Sequence, residues 1–476
     1  MSNFKDTYFF SYDEAYKIAK EQNIISSYQK QICYYDGEKR THNLDNLFSL
    51  PFDNLSEELL VSNKRFPTSI NFEGLQISMD EVKDVLNAFR ELLEVVRGKR
   101  RDLVSVMINE IKSFKLDFNE PLRFYLMGGR QTRVIQHISK NIANSLKSMG
   151  YDVRFEINNE FEDMNEFRII KAVYEYMPHV TININNVNNL YLNDDTFNFI
   201  WFQDINSRVE NLEKEQLREN DYLFHLTNGI ETRLKNKNIN SQFQPFCLDE
   251  NIYKPRPNIK KEKKIVFIGN SYNDRFGKIK HNKDYNNILK EVILIYENYN
   301  NMPDKEVSEI AKRYYVTEEY IRSFMLYLTR DYCVEKLCSI DTDYTIEIYG
   351  NGFEDKEIIK PYYKGTLEHG EDISKVYNSA TYAYCPGGYV FMQRTLESAF
   401  SGTIPLVLDT RLKKEDGEYN KKAEEGIEFF NIKELELVLK KETPMDKNFD
   451  YIIETYSYKY FLKSIIKIIE ERKIIN

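Results

Sequence analysis

The sequence predicts an α/β protein with two doubly wound parallel sheets, preceded by a mostly helical region. From about residue 121, short apolar runs alternate with amphipathic helical stretches, which is typical of parallel strands joined by crossover helices. Residues 245–264, PFCLDENIYKPRPNIKKEKK, interrupt this alternation with three prolines and a run of lysines, as a linker does. The alternation then restarts, so we expect one α/β domain on each side of the linker.

Residues 1–118 are predicted to form a helical accessory region. Ser78-Met-Asp-Glu81 is a capping box, and the apolar residues after it recur at helical spacing. We expect this helix to end near Gly98 and a second helix to run from about 100 to 115. The region contains no recognisable catalytic motif.

The first α/β domain is expected over 119–246. Its predicted strands are 122–127, 151–157, 179–185, 197–202 and 221–227. The first strand leads into the turn Gly128-Gly129-Arg130 and then into a helix that ends at Gly150.

The second α/β domain is expected over 264–455, after a linker at 247–263. Its predicted strands are 264–270, 344–350, 380–386 and 403–408. Residues 302–338 are predicted to be a helical insertion. Residues 456–476 are predicted to form a C-terminal helix that packs back toward the first domain.

Composition excludes several classes of function. With a net charge of −9 and a pI near 5.5, the chain has no basis for broad binding to nucleic acid or to membrane surfaces. An anionic ligand would therefore need a local basic pocket. The five scattered cysteines fit reduced thiols better than a disulfide framework. No apolar run approaches the roughly 20 residues of a membrane span and no signal peptide is evident, so we expect a cytoplasmic protein.

Glycine-containing turns follow several of the predicted strands. Ligands of open parallel sheets bind outside the carboxyl ends of the strands, where such turns let the backbone approach closely. A single glycine needs no ligand, because it also serves a tight turn. Three such turns in the second domain favour a ligand site. These three turns are Gly269-Asn270-Ser271, Gly350-Asn351-Gly352 and Gly387-Gly388. A fourth turn, Gly128-Gly129, lies in the first domain.

The turn PGGYV, residues 386–390, precedes a helix whose free N–H groups favour an anion such as a diphosphate. On that helix the pattern places Arg394 and Glu397 away from the apolar face. Glu397 is therefore either a surface partner of Arg394 or a carboxylate that accepts hydrogen bonds from ribose hydroxyls.

Three other polar groups are candidates for the chemistry. Arg275 and Lys278 follow Gly269 closely enough to neutralise a diphosphate, although Lys278 also fits a solvated loop. Asp204, after Gln203, either acts on an acceptor hydroxyl, as its base or by orienting it, or caps the next helix. His137 is more typical of a helix surface, and His179 and His225 of a strand interior.

In these motifs the sequence resembles the glycosyltransferases of the GT-B fold, and more narrowly their CgeB-like branch with a C-terminal glycosyl transferase group 1 domain. The resemblance runs from about 121 to the end over many weak motifs in the right order. They are MGGRQTRVIQHISKNIANSLKSMGYDV, IWFQDINSRV, FQPFCLDENIYKP, KKIVFIGNSYNDR, IEIYGNGF, YYKGTLEHGEDISKVYNSATYAYCP and RTLESAFSGTIPLVL.

The resemblance implies two Rossmann-like domains facing a cleft. It implies an enzyme that transfers a hexosyl or N-acetylhexosaminyl group from a nucleotide-diphosphate sugar to a protein or cell-surface glycan. A UDP-sugar is expected from its frequency in the family. The expected mechanism uses no metal or other cofactor.

Residue by residue, Glu397 matches the ribose-binding Glu, and Arg275 matches a phosphate-binding base. The loop around Thr366 and Leu367 matches the nucleobase contact, and Gly128-Gly129 matches the turn near the reaction centre. Together with the glycine turns, the expected substrate-binding residues are Gly128, Gly129, Arg130, Gly269, Asn270, Ser271, Tyr349, Gly350, Thr366, Leu367, Gly387, Gly388, Tyr389, Val390, Arg394 and Glu397.

The sequence departs from the family at two positions. Tyr389 stands where retaining relatives often carry a second Glu, which leaves the stereochemical outcome open. Gln203 stands where many relatives have a His.

Three alternatives remain open at this point. Asp341-Thr342-Asp343 could be the metal motif of a GT-A enzyme, but it precedes a strand instead of closing one, so we predict a loop. A non-catalytic binding protein of the same fold would bind a partner through its N-terminal helices. A sugar-nucleotide epimerase would need no acceptor domain.

Overall fold

The computed structural model describes residues 6–23, 31–35, 38, 40–44, 46–50, 65, 67–73, 76–128, 133–157, 166–273, 277–387, 391–410, 421–441 and 447–475. The chain divides into two compact units, Met1–Phe243 and Gln244–Asn476. Both are built mainly on parallel sheets, so the predicted α/β class is confirmed.

The described part of the N-terminal region contains a parallel sheet that we did not predict. Its described elements are two helices, α1 (Tyr12–Asn23) and α2 (Met79–Ser113), and four strands of three residues each. The strands are β1 (Thr7–Phe9), β2 (Ile32–Tyr34), β3 (Leu47–Ser49) and β4 (Ser69–Asn71). They form a parallel sheet in the order β3-β2-β1-β4.

Helix α2 also corrects the prediction of two helices separated near Gly98. The capping box at Ser78 is present, but the helix runs through Gly98, whose absent side chain faces open space. A glycine inside a helix costs only about 1 kcal/mol relative to alanine, and the good helix formers that follow it let the helix continue.

The main sheet of the first unit has six parallel strands in the order β10-β9-β8-β7-β5-β6. All five predicted strands are present, and the short edge strand β10 was not predicted. The strands are β5 (Arg123–Gly128), β6 (Asp152–Ile157), β7 (Val180–Ile184), β8 (Phe197–Phe202), β9 (Asp221–His225) and β10 (Gln242–Phe243).

Helices connect these strands. They are α3 (Arg133–Ser148), α4 (Glu166–Tyr176), α5 (Ser207–Glu210) and α6 (Asn228–Lys235), with a 3-10 turn at Leu212–Lys214. Strand β8, FNFIWF, is buried along its whole length. Its continuous apolar sequence is what a central parallel strand covered on both faces requires.

The second unit contains a five-stranded parallel sheet in the order β12-β11-β13-β14-β15. The four predicted strands are confirmed, and β15 was not predicted. The strands are β11 (Glu262–Ile268), β12 (Thr345–Tyr349), β13 (Ala380–Cys385), β14 (Ile404–Leu408) and β15 (Glu428–Phe430).

The insertion between β11 and β12 is helical, as predicted. After α7 (Tyr285–Tyr299) come α8 (Asp304–Tyr314), α9 (Glu318–Ser323), α10 (Met325–Tyr327), a π-helical turn (Leu328–Tyr332) and α11 (Cys333–Ser339). Further 3-10 turns lie at Gly277–His281 and Lys360–Tyr362.

The remaining helices of the second unit are α12 (Glu371–Ser379), α13 (Gln393–Phe400), α14 (Lys421–Glu424), α15 (Leu435–Leu439), α16 (Asp450–Tyr456) and α17 (Tyr458–Ile475). The helix predicted near the C-terminus is therefore present. Within the described ranges, no helix combines the length and the apolar character that crossing a membrane requires.

Candidate functional site

The strand order of the second unit identifies where a ligand would bind. Strand β11 lies between β12 and β13, so the connection after β11 leads to the strand on one side of it, and the connection after β12 leads to the strand on its other side. Ligands of doubly wound sheets bind outside the carboxyl ends at such a switch point. The turns that follow β11, β12 and β13 contain the predicted glycines, and this edge is the candidate site.

Two of these turns are joined by backbone hydrogen bonds. Gly269 N donates to Tyr349 O over 2.9 Å, and Ser271 N donates to Asn351 O over 2.9 Å. Asn351 N donates in turn to the side-chain oxygen of Asn270 over 3.0 Å. The structure thus brings predicted residues from two strands together in one rigid edge.

Gly350 is required by this close approach. Its φ of +133° is rarely adopted by other residues, and a Cβ at this position would lie 2.1 Å from Gly269 O. The backbone of one turn therefore occupies the space that a side chain on the other would need.

We expect Gly350→Ala to destabilise the protein. Backbone strain alone costs about 1–3 kcal/mol, and the overlap with the Gly269 carbonyl adds to it. Gly365→Ala is the matched control, because Gly365 also has a positive φ of +90° but open space around it. Chemical denaturation of both variants measures the difference, and equal losses of stability would contradict the steric argument.

Glu397 lies at the same edge, on α13, and is fully buried. Its Oε1 accepts hydrogen bonds from the Tyr253 hydroxyl over 3.1 Å and from Gln393 Nε2 over 3.0 Å. Its Oε2 is paired with the Arg394 guanidinium, and His369 Nε2 lies 3.8 Å from Oε1. The carboxylate is thus the centre of a polar network.

This arrangement corrects the prediction that Glu397 lies away from the buried face of its helix. Every residue of α13 from Thr395 to Phe400 is buried, because neighbouring segments cover the helix on both sides. The pair with Arg394 is therefore not a surface contact on the Glu397 side. The Arg394 side chain is 37% exposed.

The Glu397 carboxylate stabilises the charge of Arg394 and the protonated form of Tyr253. Burial opposes the charge of Arg394, but the nearby Glu397 carboxylate outweighs it, so the pKa of the guanidinium is raised. Burial, followed by the same carboxylate, raises the pKa of Tyr253. The Tyr253 hydroxyl therefore stays protonated and donates to Glu397 at all ordinary pH values.

The loop that contains Thr366 and Leu367 leads toward this network. Gly350 N donates to Gly365 O over 2.9 Å, which holds the start of the loop at the end of β12. Thr366 is exposed and Leu367 is half-buried. Three residues after Thr366, His369 reaches Gln393 Nε2 at 3.4 Å.

The third turn is only partly described. Gly387 follows β13 and is exposed, while Gly388, Tyr389 and Val390 lie outside the described residues. Burial raises the pKa of the preceding Cys385 thiol to about 12, so this cysteine stays protonated near neutral pH and is not a nucleophile.

Arg330, in the π-helical turn, reaches the same edge and was missed by the sequence reasoning. Its Nη1 donates to Asn270 O over 3.3 Å and its Nη2 to the Tyr272 hydroxyl over 3.1 Å. A π-helical turn often marks a functional position, but no sequence motif predicts one here.

The neighbouring Asp331 holds the turn that begins at Gly269 in place. Its buried carboxylate accepts from Ser271 Oγ, from Tyr272 N over 2.9 Å and from Lys356 Nζ over 2.8 Å. Lys356 also pairs with Glu335. Two cationic residues were also predicted here, but Arg275 and the side chain of Lys278 lie outside the described residues.

In the first unit, the predicted residues also lie at the carboxyl edge of the sheet. Gly128 ends β5, and a Cβ there would lie 3.3 Å from Ile157 Cγ1, so a side chain at this position would crowd Ile157. Gly129 and Arg130 lie outside the described residues. Asp204 is exposed, and its Oδ2 accepts from Asn185 Nδ2 over 2.9 Å.

Asp204 does not cap the next helix. Asn206 does so, by accepting from the backbone N–H groups of Arg208 and Val209. The neighbouring Gln203 is 7% exposed, and its Nε2 has no hydrogen-bond partner in the described structure. Asp204 is thus a positioned, solvent-accessible carboxylate.

His179 and His225 are bonded within the first unit, as their predicted structural role requires. His179 accepts from Arg123 N over 3.1 Å, and His225 contacts Ser241 Oγ at 2.8 Å. His137 is half-buried on α3. Asp341 to Asp343 form a loop before β12, as predicted, and Asp343 pairs with Lys263. Among the described residues, no three His, Cys, Asp or Glu side chains are grouped to hold a metal ion.

No protein-family model and no curated protein matches this sequence. Several solved structures are similar to it in part. A glycosyltransferase from Rickettsia africae shares 11% identity at a TM-score of 0.47, over 74% of this chain and 98% of that chain. AviGT4, a glycosyltransferase of avilamycin A biosynthesis, shares 11% identity at 0.41, over 73% and 96%.

HepE from Anabaena, solved in complex with UDP-glucose, shares 9% identity at a TM-score of 0.41, over 74% of this chain and 100% of that chain. With identities near 10% and TM-scores below 0.5, these likenesses assign neither a substrate nor a reaction to this chain.

Proposed function

We propose that this protein is a glycosyltransferase that uses a nucleotide-diphosphate sugar as donor and a hydroxyl group as acceptor. The observation that carries the proposal is the buried Glu397 carboxylate on the helix that follows β13, paired with Arg394, in a sheet whose first two strands end in glycine turns bonded to each other. The resemblance of the surrounding motifs to GT-B enzymes supports the same role.

In the proposed donor complex, Glu397 accepts hydrogen bonds from the ribose hydroxyls. Its carboxylate already accepts three hydrogen bonds from the chain, of about four that two oxygens can accept. The half-buried Gln393 is the partner that can turn away, so that a ribose hydroxyl takes its place. Tyr253 and Arg394 hold the carboxylate in place.

The proposed transfer breaks the bond between the anomeric carbon and the diphosphate oxygen, which keeps the electron pair. The acceptor oxygen forms the new bond to that carbon, and its proton passes to a base. Asp204 is the proposed base or orienting group, because it is an exposed carboxylate held by Asn185. Positive side chains stabilise the leaving diphosphate without a divalent metal.

Incubation of the full chain with UDP-, GDP-, ADP- and dTDP-sugars tests this proposal. We expect one donor class to release its nucleoside diphosphate, faster in the presence of a hydroxyl acceptor. A UDP-sugar with a protein or glycan acceptor is the proposed pair. Binding without release would indicate a non-catalytic binding protein, and conversion of the sugar without release would indicate an epimerase.

We expect EDTA to leave the rate of transfer unchanged. The proposed mechanism uses guanidinium groups where other glycosyltransferases use a metal ion, so removing divalent cations has no effect on it. Assays with EDTA and with added Mg²⁺ or Mn²⁺ measure this. A loss of more than about tenfold with EDTA, restored by a divalent cation, would overturn the metal-independent mechanism.

A further inference from the structure

Arg330 is a half-buried cation whose charge is not matched by a carboxylate. Within the described residues, no Asp or Glu oxygen lies within the 4.0 Å of an ion pair with its guanidinium. Its contacts are the Asn270 carbonyl and the Tyr272 hydroxyl, and the rings of Tyr272 and Phe267 at 4.6 and 5.7 Å. All of these partners are neutral.

The environment of Arg330 disfavours its charge. Burial, and to a smaller extent the charge of Arg394, lower the pKa of the Arg330 guanidinium. An arginine keeps its charge in proteins, so the positive charge is present at a cost in free energy. A bound anion would offset that cost.

The acidic groups nearby are already engaged. Glu397 is paired with Arg394, and Asp331 is bonded to Lys356 and to the Ser271–Tyr272 turn. Among the described residues at this edge of the sheet, Arg330 is therefore a positive charge without an ion-pair partner. The described residues accept from two of its five N–H groups.

The position of Arg330 suits an anion bound at the switch point. Its guanidinium lies against Gly269, the first residue after β11, and a Cβ on Gly269 would lie only 2.2 Å from Nη1. The absence of a side chain at Gly269 is thus what lets this cation reach the carboxyl edge of the sheet.

We propose that Arg330 binds the diphosphate of the donor and neutralises the nucleoside diphosphate as it leaves. This rests on the proposed function, and it assigns the diphosphate contact to the π-helical turn of the insertion as well as to the turns of the sheet. The planar guanidinium can hold two phosphate oxygens at once.

The test compares nucleoside diphosphates with the corresponding nucleosides by isothermal titration calorimetry. The UDP, GDP, ADP or dTDP that binds the full-length protein most tightly is the probe. In Arg330→Gln we expect its affinity to fall about 10- to 100-fold, the effect of losing hydrogen bonds to a charged group. The affinity for the nucleoside is expected to stay within twofold.

Arg322→Gln is the matched control. Arg322 lies on α9 of the same insertion, is exposed and pairs with Asp304, so its loss should not change either affinity. Gly269→Ala is the second variant. The new methyl group would displace the guanidinium without removing its charge, so it should weaken diphosphate binding in the wild type and add little in the Arg330→Gln background.

The outcomes separate this inference from the proposed function. If no nucleoside diphosphate binds the wild type, the proposed function fails and this inference with it. If the diphosphate binds equally well to Arg330→Gln and to the wild type, Arg330 is not its ligand, although the proposed function stands. If Arg330→Gln weakens the nucleoside as much as the diphosphate, the role of Arg330 is structural and the inference is overturned.

Discussion

Glu397→Gln is expected to lower the rate of sugar transfer at limiting donor concentration by about 100-fold or more. The substitution removes the charge that is proposed to accept the ribose hydroxyls, and each hydrogen bond to a charged group contributes about 1.5–3 kcal/mol. In addition, one of the two acceptor oxygens becomes an NH2 group, which then faces either Arg394 or the pair Tyr253 and Gln393, all of which are donors to the native carboxylate.

A 2′-deoxy nucleotide distinguishes a ribose contact from a general loss of structure. Wild-type protein should bind the 2′-deoxy form of its preferred nucleoside diphosphate more weakly than the ribose form. Glu397→Gln should no longer discriminate between the two. Glu436→Gln is the control, because Glu436 is a partly exposed residue of α15 paired with Lys440. Retention of ribose discrimination in Glu397→Gln would refute the assignment of Glu397 to the ribose.

Asp331→Asn is expected to destabilise the protein by about 3–5 kcal/mol, the usual cost of breaking a buried ion pair. For a unit of this size, the midpoint of thermal unfolding should then fall by roughly 6–20 °C. Asp331 is fully buried, and the substitution removes the negative charge beside Lys356. It also replaces one of the two oxygens that accept from Ser271 and from Tyr272 N by an NH2 group.

The same substitution should also weaken donor binding, because Asp331 holds the turn that follows β11. Thermal unfolding followed by circular dichroism measures the stability, and calorimetry with the nucleoside diphosphate measures the binding. Asp372→Asn is a suitable control, since Asp372 is an exposed partner of Lys375. A change of less than about 1 °C in Asp331→Asn would show that the buried carboxylate is dispensable for the fold.

The sequence was sufficient to predict the two main sheets. Strands such as β8 and β14 are continuous apolar runs bounded by polar or glycine residues, and parallel strands covered on both faces need this pattern. The strands that were not predicted are two or three residues long. Such short segments carry no recognisable periodicity, because alternation needs at least four residues to be evident.

Helix α2 continues past the glycine at which we predicted its end. Gly98 was expected to end the helix, but a glycine stops a helix reliably only when a capping interaction takes over from the backbone hydrogen bonds. Residues 99–113 are good helix formers, so the backbone bonds continue through Gly98 at a small cost.

The candidate site was predictable in part for the same reason as the sheets. Carboxyl ends of parallel strands meet at one edge, so glycine turns after consecutive strands must gather there. The sequence thus determined the α/β class, the main strands and the edge on which Gly269, Gly350 and Gly387 lie. Each of these follows from a local pattern of a few residues.

Only the tertiary structure decided the burial of Glu397 and the position of Arg330. A helical pattern assigns a residue to a face, but whether that face is covered depends on distant segments, and here Tyr253 lies 144 positions from Glu397. Arg330 likewise reaches Asn270 across 60 positions. Which side chains are buried at a site, and which charged groups lie together there, depend on which segments pack against each other, and that is a property of the folded chain.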